Sequence, residues 1–126
     1  MPILNQASAG GLAVTPVFLN RQVELLNFDA GTLADFIQVD QLPNLVFYAI
    51  QTNGDTPVSI IPQAATRQSD TNVPDFLDLA GETVLPALNT PLLLNFQFPA
   101  TFIQVQVVHN GGTPASVKLV YGAYGP

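Results

Sequence analysis

The residues of this chain that could carry out nucleophilic or acid–base chemistry are few and widely spaced. His109 is the only histidine among 126 residues, and the serines are Ser8, Ser59, Ser69 and Ser116. Nucleophilic catalysis needs a base beside the nucleophile and a third group that orients the base. Ser116 lies seven residues after His109, but no Gly-x-Ser-x-Gly turn surrounds it. We interpret His109 as a hydrogen-bonding turn residue, and the sequence predicts that the protein is not an enzyme.

Acidic residues offer a second kind of chemistry, because paired carboxylates can cleave glycosidic bonds and acidic loops can bind calcium. Four of the nine acids cluster in one Pro-containing segment: Asp70, Asp75, Asp78 and Glu82. An EF-hand does not fit, since Pro74 occupies the fifth loop position and the sixth position lacks glycine. We interpret the segment as a solvated acidic loop that caps a short helix, and an irregular calcium site is the alternative. The sequence assigns no metal ligand and predicts no cofactor.

The charge balance excludes several classes of partner. The net charge is −6, and the only cations are Arg21, Arg67 and Lys118. Nucleic-acid binding draws its affinity from Lys and Arg on the phosphates, so three scattered cations predict no nucleic-acid partner. An anionic membrane surface is disfavoured for the same reason. Charged residues make up only 10% of the chain, against a typical value of about 25%. We therefore expect another protein to cover part of the weakly charged surface.

The chain has no cysteine, which excludes disulfides and thiolate metal sites. The first residues, MPILNQASAGGLAV, contain no basic residue and no apolar run of signal-peptide length. No stretch approaches the roughly 20 apolar residues of a membrane-spanning helix. These features predict synthesis in a cytoplasm.

Two segments 57 positions apart are nearly the same: TNGDTPVSII from Thr52 and HNGGTPASVK from His109. Asn-Gly tolerates positive φ and Pro fixes φ near −65°, so each segment predicts a chain reversal. The alternating segments TFIQVQVV and SVKLVYGAY flank the second reversal, which predicts an antiparallel hairpin. In the same way, NLVFYAIQT and VSII predict a hairpin around the first. Duplication and convergent turn chemistry both account for the similarity.

Further strand candidates are LAVTPVFL, QVELLNF, ADFIQV and PLLLNFQF, and Pro16 within the first of them suggests an edge strand or a bulge. Only VPDFLDLAGE suggests a helix, of one or two turns at most. Short strands with regular turn signals predict an all-β fold, an antiparallel β-sandwich of about eight short strands that resembles a jelly roll. Residues 1–11 lack periodicity and read as an extended N-terminal arm, followed by a single domain over residues 12–126.

Arms and loop tips can bind partners by adding strands or by shape. We therefore assign the partner contacts to the arm, to the two predicted hairpin tips and to one exposed aromatic residue. The candidates are Pro2, Ile3, Leu4, Asn5 and Gln6 in the arm, Asn53, Gly54 and Asp55 in the first tip, Asn110, Gly111 and Gly112 in the second, and Tyr124.

The C-terminal segment TFIQVQVVHNGGTPASVKLVYGAYGP resembles the last hairpin of small tailed-phage virion proteins, among them capsid decoration (cement) proteins. An aromatic residue is followed by Ile-x-Val-x-Val, a Gly-Thr-Pro turn and a closing apolar strand, over about a fifth of the chain. The family often has Arg in the first of these strands, where this sequence has Gln104 or Gln106.

The resemblance implies a structural protein that decorates and stabilises a capsid by binding between its subunits through apolar and backbone contacts. Its partner would be the major capsid protein, its location the virion surface, and its own state a homo-oligomer, with a trimer favoured. The alternative is a carbohydrate- or receptor-binding β-sandwich module of a tail fibre or secreted enzyme. Such a module presents a coplanar pair of exposed aromatic rings beside Asn, Gln or Asp.

Overall fold

The computed structural model describes residues 18–66 and 74–125, and these residues form two antiparallel β-sheets that pack as a sandwich. One sheet has the strand order β1–β9–β3–β7, and the other has the order β2–β8–β4–β5, with β6 also pairing with β4. The nine strands are β1 (Phe18–Phe28), β2 (Gly31–Gln38), β3 (Asn44–Asn53), β4 (Ser59–Ala65), β5 (Leu77–Asp78), β6 (Thr83–Val84), β7 (Leu92–Gln97), β8 (Phe102–His109) and β9 (Ala115–Tyr124). The predicted all-β sandwich is confirmed, with nine strands where about eight were expected.

The order of the strands is that of a jelly roll. The first strand pairs with the last, β2 pairs with β8, β3 pairs with β7, and β4 pairs with the short strands β5 and β6. The chain thus forms one long antiparallel ribbon that folds over to make two sheets. The described residues contain no helix that is long and apolar enough to cross a membrane.

Both predicted hairpins are wrong. The strands β3 and β4 lie in different sheets, and so do β8 and β9. Each repeated segment therefore carries the chain from one sheet across the core to the other. The alternation of apolar residues does not distinguish these two cases, because a hairpin and a crossing between sheets both place every second side chain inside. The alternation itself is confirmed, since Ile103, Val105 and Val107 share one face of β8 and are all buried.

The core lies between the sheets and is built from the inward side chains of the central strands. Phe47 of β3 and Tyr121 of β9 stack with their ring planes 3° apart, and Phe96 of β7 meets Phe47 edge-on. The buried apolar residues of these strands include Leu45, Ala49, Ile60, Ile103, Val105, Val107, Val117 and Leu119. The core fixes both sheets and, with them, the loops that join β3 to β4 and β8 to β9.

The predicted helix in VPDFLDLAGE is also wrong, because Leu77 and Asp78 pair as a short strand with β4. The side chain of Gln63 donates a hydrogen bond of 2.7 Å to Asp78 Oδ1, and the Leu79 N–H donates to the Pro62 carbonyl. Hydrogen bonds to β4 stabilise this segment more than one or two isolated helical turns would. The predicted arm (residues 1–11) and Pro16 lie outside the described residues.

Two units of three strands occupy equivalent places in the sandwich. One is β2–β3–β4 and the other is β7–β8–β9. Exchanging them preserves the pairings among these six strands, since β2–β8 becomes β7–β3 and β3–β9 becomes β8–β4. The repeated segments join equivalent strands in the two units. The repetition in sequence therefore coincides with a repetition in topology.

Candidate functional site

The two repeated loops lie side by side at one end of the sandwich and bind each other. The Asp55 N–H donates to Thr113 Oγ1 at 3.0 Å, and the Thr113 N–H donates to Asp55 Oδ1 at 2.9 Å. We call residues 53–57 and 110–114 together the paired tip. The structure thereby brings together six of the predicted contact residues: Asn53, Gly54, Asp55, Asn110, Gly111 and Gly112.

Gly112 is required by the contact between the loops. When the two repeated segments are aligned, Gly112 occupies the position of Asp55. Its φ of +94° lies in the region that favours glycine. A Cβ at Gly112 would lie 2.5 Å from Asp55 Oδ1 and 2.5 Å from Thr56 Oγ1. The carboxylate of one loop therefore occupies the space that a side chain of the other loop would need.

A buried side chain at the end of the preceding strand braces each loop. In the first loop, Gln51 donates to the Asn53 and Thr56 carbonyls at 3.1 and 2.9 Å and accepts the Val58 N–H at 2.9 Å. Gln51 is only 1% exposed. Both donors of this amide and one of the two acceptor positions on its oxygen are thus used to hold the loop.

His109 braces the second loop. Its Nε2 atom lies 2.9 Å from the Thr113 carbonyl, and its Nδ1 atom accepts the Gly111 N–H at 3.3 Å. Because a carbonyl only accepts, Nε2 carries the ring proton. Ser116 Oγ accepts the Asn27 N–H at 3.0 Å, and no hydrogen bond within the described residues joins it to His109. The interpretation of His109 as a hydrogen-bonding turn residue is confirmed.

The electrostatics of the paired tip centre on Asp55. Hydrogen bonds from Thr113, first from its backbone N–H and then from its side chain, lower the pKa of the Asp55 carboxyl below its usual value. The Thr56 hydroxyl donates a further hydrogen bond of 3.1 Å to Oδ1. The contact between the loops therefore favours the ionised carboxylate.

Tyr124 lies apart from the paired tip. It ends β9, whereas the second loop precedes Ala115 at the start of that strand, so about 30 Å of extended chain separates them. The Tyr124 ring meets Phe18 at a centroid distance of 6.3 Å with ring planes 82° apart. These two exposed rings form an edge-to-face pair, and they do not make the coplanar platform of a sugar-binding site.

Sequence reasoning missed a polar cluster on the side of the sandwich where β1 and β2 form the edges. Arg21 Nε lies 2.8 Å from Asp35 Oδ2, and the buried Tyr121 hydroxyl donates to the same oxygen. Burial, and secondly the bond to Asp35, raise the pKa of Tyr121. We call these three residues the clasp, because they join β1 and β9 of one sheet to β2 of the other. Because these residues are far apart in sequence, no spacing pattern indicated that they would meet.

Next to the clasp, an apolar slot of about 190 Å³ opens between the two edge strands. Val23 and Leu25 of β1 and Leu33 of β2 form its walls, and Val105, Val107 and Leu119 form its floor. The floor residues belong to the core. The slot therefore gives access to the interior along the edge of the sandwich.

The outward faces of both sheets carry few charges. On the β1–β9–β3–β7 sheet, Lys118 and Glu24 approach to 4.0 Å. On the other sheet, amide and carboxylate groups form a ladder across three strands: Gln104 donates to Gln63 at 2.6 Å, and Gln63 donates to Asp78 at 2.7 Å. Gln104 thus takes part in a ladder of amide and carboxylate groups that contains no cation.

Beside this ladder, Phe36 packs against Phe76 and Phe102, with ring centroids 5.8 and 6.3 Å away. Phe36 itself is 48% exposed. The acidic segment does not gather into a metal site within the described residues, where no group of three or more His, Asp or Glu side chains could hold an ion. Asp70 lies outside those residues.

No family model matches this chain, and no curated protein matches it in sequence. Among solved structures, it is similar to the Yersinia pseudotuberculosis-derived mitogen, with 11% identity over 86% of each chain and a TM-score of 0.45. It is similar to a chain of infectious bursal disease virus, Gx strain, with 13% identity over 98% of this chain and 38% of that one and a TM-score of 0.42. It is also similar to the disulfide-linked pili of Bacillus endospore appendages, with 13% identity, coverage of 95% and 97%, and a TM-score of 0.38. Likenesses at this level carry no functional conclusion.

Proposed function

We propose that this protein is a structural virion protein that decorates and stabilises an assembled capsid, binding between capsid subunits through apolar and backbone contacts. It performs no reaction, and its partner is the major capsid protein. Jelly rolls occur in viral capsid and lectin domains, which supports the proposal by analogy of fold alone.

The observation that carries the proposal is the weakly charged and partly apolar surface of the sandwich. The chain has 10% charged residues, and large apolar side chains stand on several strands with a high exposed fraction, among them Leu26 (66%), Leu77 (69%) and Leu93 (57%). Surfaces of this kind bind other proteins without a desolvation penalty for charges. A protein that covers a lattice by shape needs such faces.

The paired tip supplies a stiff contact surface. Pro57 and Pro114 limit the backbone of its loops, and the buried side chains of Gln51 and His109 hold the loops from below. Stiff loops lose little conformational entropy when they bind. Asn110 is exposed at the outside of the tip, so its side chain can reach a capsid subunit.

Co-sedimentation with capsids that lack this protein tests the proposal. We expect the wild-type chain to bind and Asn110→Arg to reduce its occupancy about tenfold or more, because a bulky cation at a packed contact is costly. Gln38→Arg is the matched control, since Gln38 is exposed and pairs with Phe102, at the opposite end of β8 from the paired tip. Absence of wild-type binding to capsids, or equal losses in both variants, would count against the proposal.

The arm provides a second test of the same function. Deleting residues 2–10 should leave the unfolding temperature unchanged and weaken attachment to capsids. Undiminished occupancy, measured by mass spectrometry of purified particles, would remove the arm from the contact surface. Binding to a glycan array without binding to capsids would favour a sugar-binding module instead.

A further inference from the structure

The strand β1 has an edge that no other described strand covers. It pairs with β9 on one side only, and its register runs without interruption from Phe18 to Leu25. A bulge then follows, where Asn27 has a φ of +49°. An unpaired edge of this length presents a row of backbone donors and acceptors that another strand can bind.

The side chains of β1 that point away from the core have a pattern of their own. Leu19, Val23 and Leu25 pack against the core. The outward residues alternate with them, and in chain order they are Phe18, Asn20, Gln22, Glu24 and Leu26. Exposed apolar groups thus stand at both ends of this row (47% for Phe18 and 66% for Leu26), and an amide stands at its centre.

We propose that β1 pairs with β1 of a second copy in antiparallel orientation, with a twofold axis at Gln22, so that the β1–β9–β3–β7 sheets of two copies continue into one another. Gln22 then faces Gln22 of the second copy. Phe18 faces Leu26 of the other chain at both ends, and Asn20 faces Glu24, to which its amide can donate.

The register follows from the pattern. Residues that face each other across two strands point to the same side of the sheet, so the axis must pass through a residue and not between two. An axis at Val23 would set Asn20 against Leu26 and would use Phe28, which lies beyond the bulge and packs edge-on against His109. An axis at Arg21 would set Phe18 against Glu24. Only the axis at Gln22 matches apolar with apolar and polar with polar.

The electrostatics of this pairing are also favourable. No like charges face each other across the outward row, because Glu24 meets an amide. On the inward side, Arg21 is already paired with Asp35 of its own chain. The slot between β1 and β2 opens on the same side of the sandwich, so the second copy also shields Val23 and Leu33.

The axis at Gln22 maps the regular segment Leu19–Leu25 onto itself, and pairing over this segment would form about seven backbone hydrogen bonds, roughly one per residue. A twofold contact closes after two copies, because each edge satisfies the other. The pairing therefore favours a dimer in solution where the sequence suggested a trimer. It needs no capsid, so its test is independent of the proposed decoration function.

Sedimentation velocity of the full chain, without capsids, tests the pairing with two charge variants. Gln22→Glu and Gln22→Lys should each weaken the dimer about two- to fivefold, because each sets like charges directly opposite one another. Mixing the two variants in equal amounts should form a heterodimer at least as stable as the wild-type dimer. Failure of the mixture to restore the dimer would overturn the register.

Apolar residues of the same sheet give a stronger and matched comparison. Phe18→Asp should weaken the dimer about tenfold or more, since it removes an apolar contact at both ends of the interface. Leu93→Asp, on the opposite edge strand β7, should leave the dimer intact, although Leu93 is similarly exposed at 57%.

Three results would overturn the proposal outright. One is a wild-type chain that remains monomeric up to about 100 μM, corresponding to a contact too weak to matter. Another is an assembly that grows larger than a dimer as the protein concentration rises, which would indicate head-to-tail pairing of different edges. The third is a chain that dimerises only after residues 1–17 are removed, which would show that its own N-terminal segment covers the β1 edge.

Discussion

Replacing Gly112 with alanine tests whether the two repeated loops are held by their contact with each other. At a φ of +94°, an L-residue costs about 1–3 kcal/mol of backbone strain. In addition, the new Cβ would lie 2.5 Å from both Asp55 Oδ1 and Thr56 Oγ1, so these two side chains must move and the hydrogen bond between Asp55 and Thr113 is disturbed. We expect the free energy of unfolding to fall by more than the backbone strain alone.

Gly111→Ala is the control for this substitution. Gly111 also has a positive φ, +139°, but a Cβ there would meet nothing within 4 Å. Its loss of stability therefore measures strain without collision. Urea unfolding followed by circular dichroism gives both values, and two-state behaviour licenses their comparison.

The collision can be isolated further with a double-mutant cycle. Gly112→Ala should destabilise less in an Asp55→Ala background, because one of the two colliding oxygen atoms is then absent. Equal losses for Gly111→Ala and Gly112→Ala, together with additive effects in the cycle, would refute the idea that the two loops compete for the same space.

The other predictions concern the edge strand, the paired tip and the clasp. Gly122→Ala should cost roughly 1–3 kcal/mol by overpacking, because its Cβ would collide with the Leu19 carbonyl oxygen, and hydrogen exchange should show β1 losing protection first. Because the pKa of Asp55 is lowered in the folded state, its ionised carboxylate stabilises the fold above the unfolded pKa of about 3.9, and this stabilisation is lost as the pH falls through the folded pKa. The difference in stability between wild type and Asp55→Asn, measured by thermal unfolding, should therefore shrink below about pH 4. Because the pKa of Tyr121 is raised in the folded state, its protonated hydroxyl stabilises the fold below the unfolded pKa of about 10, and this stabilisation declines at higher pH. Tyr121→Phe should lower the free energy of unfolding by about 1 kcal/mol at pH 7, and its stability should not show this decline at alkaline pH.

The sequence was enough to find most strands and to say which side chains of a strand share a face. Alternation in TFIQVQVV puts Ile103, Val105 and Val107 on one face, and the structure buries that face. The partners of the strands could not be predicted in this way. Gly and Pro force a reversal whether the chain returns in the same sheet or crosses to the other one, so the two hairpins were predicted wrongly.

The candidate site was predicted in pieces. Both loop tips were identified by their turn residues, but turn chemistry does not show that two tips separated by 57 positions touch each other. The clasp left no signal, because Arg21, Asp35 and Tyr121 meet only when the edges of two sheets are brought together. Long-range contacts of this kind depend on topology, which local sequence patterns do not contain.

The differences between the two repeated segments carry as much information as their similarity. Asn-Gly and Thr-Pro recur because equivalent turns need them, whereas the segments differ where the loops contact each other or the core. Asp55 is matched by Gly112, which must lack a side chain, and Val58 is matched by Ala115, whose Cβ would lie only 3.0 Å from a Cβ at Gly54. The roles of these residues in the paired tip are therefore structural. Asn110 is exposed and is not needed to hold either loop through any hydrogen bond of the described residues, so it is the residue of the tip at which substitution separates binding from folding.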